Sequence, residues 1–167
     1  MSLPLRIETL SVLFIVLVLV MTRSANANNL VVTNVSLVDV GGGNADVEFD
    51  LSWDNSWYLS WTDDGGATTI TNWDAAWVFI KFKTAGGQWT PAWLNASGHT
   101  ATGGTVIDVA SNGGVTNLGA FVHRASSGTG TLSCVNMRFR WDYSQNGLGG
   151  SRNLSQVRVD PRRQCKA

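Results

Sequence analysis

The side chains in this sequence best suited to molecular recognition are tryptophans with a regular spacing. Seven of the eight lie between residues 41 and 95, mostly at four-residue steps: Trp53, Trp57, Trp61, Trp73, Trp77, Trp89 and Trp93. A spacing of four places side chains on one face of either a helix or a strand. An indole offers a flat apolar face that stacks on sugar rings and also anchors protein interfaces. A small core uses part of this set, and the rest are candidates for an interface or a ligand-stacking surface.

The groups that commonly catalyse reactions are sparse and scattered. His99 and His123 are too isolated for metal binding or acid–base chemistry. Asp50 and Asp54 could act as a glycosidase pair, but they lie on the polar side of an alternating segment that implies no pocket. The run Asp63-Asp64-Gly65-Gly66 offers oxygens for Ca²⁺, yet a plain turn needs the same residues. We predict a protein that is not an enzyme, with no catalytic residues, no cofactor and no metal.

The hydrophobic pattern predicts that β-strands carry these residues. Val47, Phe49, Leu51 and Trp53 alternate with polar residues, the period of a half-buried strand. Eight or nine short segments of this kind are separated by turns rich in Gly and Asn, and no segment has helical periodicity. The sequence therefore predicts an all-β, single-domain β-sandwich of the jelly-roll or Ig-like type.

The longest predicted strand runs over residues 128–143. Its alternation predicts that four apolar residues share the core face: Val135, Met137, Phe139 and Trp141. At the other end of the domain, residues 29–40 are rich in β-branched side chains and are followed by Gly41-Gly42-Gly43-Asn44. We predict a hairpin in which residues 29–40 pair with residues 45–54.

The first 27 residues have the pattern of a secretory signal peptide. Arg6 precedes an apolar stretch from Leu10 to Met21, and Ala25-Asn26-Ala27 is a small-residue cleavage site. A stretch of this length is too short to span a bilayer comfortably. We therefore expect a protein secreted to the extracellular space or the cell surface, without stable membrane insertion after cleavage.

The mature chain is predicted to hold one domain over residues 28–160, followed by a short basic tail at residues 161–167. Two cysteines remain, Cys134 and Cys165. In an exported protein an even pair of cysteines favours a disulfide. We predict that this disulfide ties the C-terminal tail to the strand holding Cys134.

Charge is divided unevenly along the chain. Residues 28–75 carry eight acids and no Lys or Arg, whereas residues 76–167 carry ten bases against three acids, which gives −8 and +7. Cross-strand pairs within one domain can satisfy such a division, and so can contacts between the acidic part of one copy and the basic part of the next. Nucleic acid is not an expected partner, because the basic part has no continuous patch with interleaved aromatics.

Two Trp-Asp blocks, Val47–Trp57 and Asn72–Phe82, together with Gly87-Gln88-Trp89 and Trp93-Leu94, resemble a β-rich region of secreted bacterial proteins. In those proteins the region often precedes a domain similar to formylglycine-generating (sulfatase-modifying-factor) enzymes. The resemblance covers most of residues 29–160, and the sequence reaches Ala167 without the residues of such an enzyme domain. It implies a secreted accessory or structural β domain and no activity.

These observations lead to two functional hypotheses. The first is an exported structural protein that self-associates into an extracellular filament. Residues 29–40, with Val31, Val35 and Leu37, would be a donor strand that adds to a neighbouring copy. The alternative is a carbohydrate-binding module or an accessory domain of a secreted enzyme system, whose partner would be a glycan or a separate enzyme chain.

Overall fold

The structure is a computed structural model and describes residues 28–112, 115–149 and 154–165. All regular structure in these ranges is β, apart from a short 3₁₀ turn at Asp64–Gly66. The strands are β1 (Val31–Gly41), β2 (Asn44–Thr62), β3 (Thr69–Thr84), β4 (Thr90–Pro91), β5 (Thr105–Asn112), β6 (Val115–Arg124), β7 (Gly128–Asp142) and β8 (Leu154–Cys165). The all-β, single-domain class predicted from the sequence is confirmed.

The strands form one curled antiparallel sheet with two facing halves. In the first half, β2 lies between β1 and β7. In the second half, β3 lies between β8 and β6, and β5 lies outside β6. β2 and β3 connect the two halves, because they continue past these neighbours and pair with each other over residues 58–62 and 69–73. The predicted hairpin of residues 29–40 with residues 45–54 is confirmed by the β1–β2 register.

The core lies between the two halves and is built from the alternating rows predicted by the sequence. Buried residues of β2 and β7 pack against those of β3 and β6: Val47, Phe49, Leu51, Trp53, Met137, Phe139, Trp141, Val78, Ile80, Phe82, Ala120 and Val122. The Phe82 and Trp141 rings meet across the interior at 5.0 Å between centroids. Apolar burial of this kind stabilises a fold by roughly 25 cal/mol per Å².

One residue of the predicted core face lies outside it. Val135 is 57% exposed, so the prediction that it faces the core is wrong. The register with β2 passes from Met137 opposite Phe49 to Cys134 opposite Leu51, which leaves one extra residue in β7. Asn136 has a φ of 55° at this bulge. A bulge shifts the alternation by one residue, and so Cys134 takes the buried position that the pattern gives to Val135.

Three segments differ from their predicted limits. β2 is a single strand through Asn55, whose φ of 54° accompanies a second bulge. Residues 88–94, whose composition predicts one of the short strands, form only the two residues of β4. β8 continues through residues 161–165, which the sequence places in a tail, because they remain paired with β3 as far as Asp74.

The signal-peptide prediction lies outside the described residues. Within the described ranges, the structure contains no helix with the length and hydropathy needed to cross a bilayer. Cys134 is buried and forms no disulfide with a described side chain; its Sγ lies 4.0 Å from Thr105 Oγ1, and burial raises the pKa of the thiol. The side chain of Cys165 lies outside the described residues, and its disulfide with Cys134 stays a prediction.

Candidate functional site

The ends of β2 and β3 form a two-stranded arm that projects beyond the rest of the sheet; we define it as residues 59–71. Every residue of the arm whose side chain is described is exposed. Leu59 is 50% exposed, Trp61 46% and Ile70 37%. Trp61 pairs with Ile70, and alternation puts Leu59 on the same side as Trp61. The arm therefore presents one apolar face to solvent.

This apolar face continues the core-facing side of β3. Ile70 has the same phase along the strand as Asp74, Ala76 and Val78, all of which are buried. The row that faces the interior therefore extends past the end of the core. Two strands alone are marginally stable in water, which makes an uncovered apolar ribbon a candidate contact surface.

A second group of aromatic side chains lies on the outer face of the β3–β6 half; we call it the aromatic cluster, and it consists of Tyr58, Trp73, Trp77, Phe121 and His123. The His123 ring stacks on Trp73 at 4.2 Å with 8° between planes, and on Tyr58 at 6.5 Å. Trp77 meets Phe121 at 4.7 Å. The rings are half-buried against one another. Much of their flat area is therefore already in contact within the protein.

Trp77 also explains why β6 has a glycine at position 119. A Cβ added to Gly119 would lie 2.6 Å from Cζ2 of Trp77 and 2.9 Å from the carbonyl oxygen of Val78. The indole therefore occupies the space that a side chain at position 119 would need. This contact holds one side of the Trp77 ring on the sheet.

The remaining predicted tryptophans divide among other environments. Trp53 is in the core. Trp57, Trp89 and Trp93 are half-buried, and the Arg158 guanidinium lies 4.4 Å from the Trp89 ring centroid. The structure thus does not gather the seven tryptophans into one site. Trp73 and Trp77 belong to the aromatic cluster, and Trp61 belongs to the arm.

A buried carboxylate joins β2 to β3 at the base of the arm. Asp74 is fully buried and accepts hydrogen bonds from Trp53 Nε1 at 2.9 Å, from Ser56 Oγ at 3.2 Å and from the Trp57 amide at 2.8 Å. Ser56 Oγ in turn accepts from Arg124 Nε at 3.1 Å. These bonds hold the irregular stretch of β2 after Trp53 against β3, and so they position the arm. Sequence reasoning missed this role, although Asp74 is an acid at a core-phase position.

Part of the uneven charge of the sequence is satisfied within one chain, where two described ion pairs join residues 28–75 to residues 76–167. Arg138 pairs with Glu48 at 2.7 Å across β7 and β2, and Arg140 binds Asp46 through both of its carboxylate oxygens. Lys81 pairs with Asp160 at 3.2 Å. Of the two explanations for the charge division, cross-strand pairing inside the domain accounts for Asp46 and Glu48.

Asp50 and Asp54 hold the hydrogen bonds of irregular backbone. Asp50 accepts from the Asn136 amide at 2.8 Å and from Asn34 Nδ2 at 2.6 Å, and these bonds keep its pKa below the usual range. Asp54 accepts from Asn29 Nδ2 and Thr131 Oγ1. Both carboxylates therefore stabilise the bulges and the N-terminal turn, on an outer face of the sheet.

His99 has a structural environment. Its Nδ1 accepts from the Arg140 amide at 3.1 Å, so Nε2 carries the proton and donates to the Asn95 carbonyl at 2.8 Å. Burial lowers its pKa and favours this neutral form. Within the described ranges, no three or more His, Cys, Asp or Glu side chains are grouped so that they could hold a metal ion.

The candidate donor strand is paired within its own chain. Val31 and Leu37 lie in β1 opposite Ser52 and Val47 of β2. Val31 and Val35 are exposed, whereas Leu37 packs on the core. Strand exchange would require β1 to leave this pairing, whereas the arm offers an apolar surface without rearrangement.

Comparisons of this chain with protein-family models, with curated proteins and with solved structures found no match.

Proposed function

We propose that this chain is an exported, non-enzymatic structural protein that self-associates through the apolar face of the arm. The observation that carries the proposal is the continuation of the core-facing row of β3 into the exposed residues Leu59, Trp61 and Ile70. A partner that covers this face extends the core across the interface. Trp is among the residues that dominate the energy of such contacts.

The chemistry of the arm favours a protein partner over a sugar. Leu59 and Ile70 offer aliphatic surface, which packs against apolar side chains and supplies none of the flat aromatic area on which a sugar ring stacks. The arm also carries an acidic turn, since Asp63 lies at its tip. A protein surface with apolar residues beside a cation complements both features.

A second copy of the chain supplies the cation of such a surface. Arg162 on β8 is exposed, and none of the described residues forms an ion pair with it. An arm placed against the β8 side of the next copy would bring Asp63 close to Arg162. This contact is head-to-tail, and repetition without closure gives a filament. The proposal needs no exchange of β1.

Substitution of Trp61 by Ser is expected to weaken this association by about 30-fold or more, because loss of an interface anchor costs at least ~2 kcal/mol. Val135→Ser is the matched control, since Val135 is exposed on β7 away from the arm. Sedimentation velocity and negative-stain imaging of exported protein at physiological salt measure the effect. Wild-type protein that remains monomeric at high concentration, or Trp61→Ser protein that assembles normally, contradicts the proposal.

Glycan binding is the second candidate function, and the aromatic cluster is the observation that favours it. If a sugar stacks on the cluster, Trp77→Ala should abolish quenching of tryptophan emission by that glycan, whereas Trp61→Ser should leave the quenching intact. Saturable quenching that depends on Trp77 would support a binding module. The absence of quenching across a panel of polysaccharides would leave the cluster with a packing role only.

A further inference from the structure

The outer edge of β5 carries backbone groups that the described part of the chain does not pair. β6 is the neighbour of β5 in the sheet. Gly104 and Ala125 lie opposite each other, next to the first residue pair of the ladder, Thr105–Arg124. The Ala125 amide donates to the Gly104 carbonyl at 2.9 Å. Because hydrogen-bonding direction alternates along an antiparallel strand, Val106 and Asp108 bond to β6. The amides and carbonyls of Thr105, Ile107 and Val109 point away from β6.

These groups face an open groove of about 550 Å³. Residues 96–101 form its opposite wall. That wall is anchored on β7 by the Asn95 amide bonded to the Arg140 carbonyl, and by reciprocal bonds between Thr100 and Arg138. The groove therefore separates an unpaired strand edge from a segment held on the other half of the sheet.

The groove is closed at one end by the turn that leads into β5. A Cβ added to Gly103 would lie 2.2 Å from the carbonyl oxygen of Ser133, so the turn packs directly on the β7 backbone. A chain lying in the groove would run beside β5 from Thr105 toward Val109.

We propose that this edge is a second binding site, distinct from the arm, and that it takes an extended peptide as an added β-strand. The unpaired groups of Thr105, Ile107 and Val109 would supply the ladder of hydrogen bonds, as in other cases of strand addition. An added strand also covers an edge that would otherwise invite uncontrolled pairing. The site goes beyond the self-association proposed above and does not depend on it.

The side chains of β5 set the chemistry of the peptide. Asp108 is exposed on the outer face and forms no ion pair with a described residue, and Val106 is exposed beside it. Ile107 lies on the inner side, against the core. A peptide with Lys or Arg on its outer side and β-branched residues on its inner side would complement this edge, since opposite charges at cross-strand positions attract.

The probe that tests the site is the peptide acetyl-Thr-Val-Lys-Val-Thr-amide added to the mature protein. Amide hydrogen exchange measured by NMR should slow by about tenfold or more at Thr105, Ile107 and Val109, because each gains a bond or a covering strand. The amides of Val106 and Asp108 should change little, since they already bond to β6. This alternating pattern is the signature of strand addition.

Three matched changes test whether the peptide binds by backbone pairing along β5. A peptide N-methylated at both valines should bind about tenfold more weakly or worse, since two hydrogen bonds are lost. Replacement of the peptide Lys by Glu, or Asp108→Asn in the protein, should weaken binding about two- to fivefold, as expected for an exposed pair. Trp61→Ser protein should bind the peptide normally, which separates this site from self-association.

Two results would overturn the proposal. One is unchanged exchange at Thr105, Ile107 and Val109 with the peptide in the millimolar range. The other is protection that is equal for the N-methylated peptide, which would mean that backbone pairing is not the mode of binding.

Discussion

Replacing Asp74 by Ala is expected to cost about 3–5 kcal/mol of the free energy of unfolding, comparable to breaking a buried charged network. The carboxylate is fully buried and accepts from Trp53 Nε1, Ser56 Oγ and the Trp57 amide. Alanine would leave these donors without an acceptor in a site closed to water, and each such group costs about 1–3 kcal/mol. Domains of this size are stable by only about 5–15 kcal/mol, so the loss is a large fraction of the total.

Urea unfolding followed by tryptophan fluorescence measures this effect. Asp74→Asn should lie between wild type and Asp74→Ala, because the amide keeps one acceptor oxygen and places an NH₂ against the remaining donors. Asp54→Ala is the matched control, since Asp54 accepts from Asn29 and Thr131 at the surface. It should cost about 1 kcal/mol or less. A loss for Asp74→Ala no larger than that of the control would show that the buried bonds do not hold β2 on β3.

Gly103→Ala is expected to destabilise the protein by about 3 kcal/mol or more, whereas Gly104→Ala should cost only about 1 kcal/mol. Both glycines have positive φ, 63° and 71° respectively, so both substitutions carry the strain of a left-handed backbone. They differ in the space around the new Cβ. At position 103 it would meet the Ser133 carbonyl at 2.2 Å, and at position 104 nothing lies within 4 Å.

The difference between the two variants isolates the close approach of the 102–104 turn to β7. Backbone atoms cannot rotate away, so the turn must separate from β7, and forced overpacking typically costs 1–3 kcal/mol beyond the strain. Parallel urea titrations of the two variants give the comparison. Equal stabilities would mean that the turn moves freely and does not close the groove beside β5.

The sequence by itself determined the class of the fold and the faces of most strands. Alternation at Val47, Phe49, Leu51 and Trp53 identifies a buried row without knowledge of its neighbours, because the side chains of a strand alternate with a period of two whatever the strand pairs with. The glycine-rich turn before Ala45 identifies the first hairpin for the same local reason.

Tertiary structure decided where that alternation breaks. Asn34, Asn55 and Asn136 have positive φ at bulges in β1, β2 and β7. Asn adopts this conformation more readily than most residues, but an Asn within a strand segment does not by itself predict a bulge. The bulge depends on the register with a distant strand, and this register exposes Val135 and buries Cys134.

Tertiary structure also decided which of the equally spaced tryptophans are covered. Trp53 and Trp61 have the same sequence signal, yet one is sealed in the core and the other lies on the arm. Leu59 and Ile70 lie on either side of an acidic turn, each within an alternating apolar segment. This pattern predicts a hairpin, but it does not show whether the hairpin is buried or exposed. Burial depends on how far β7, β6 and β8 extend along β2 and β3, and those lengths are set by contacts between residues far apart in the chain.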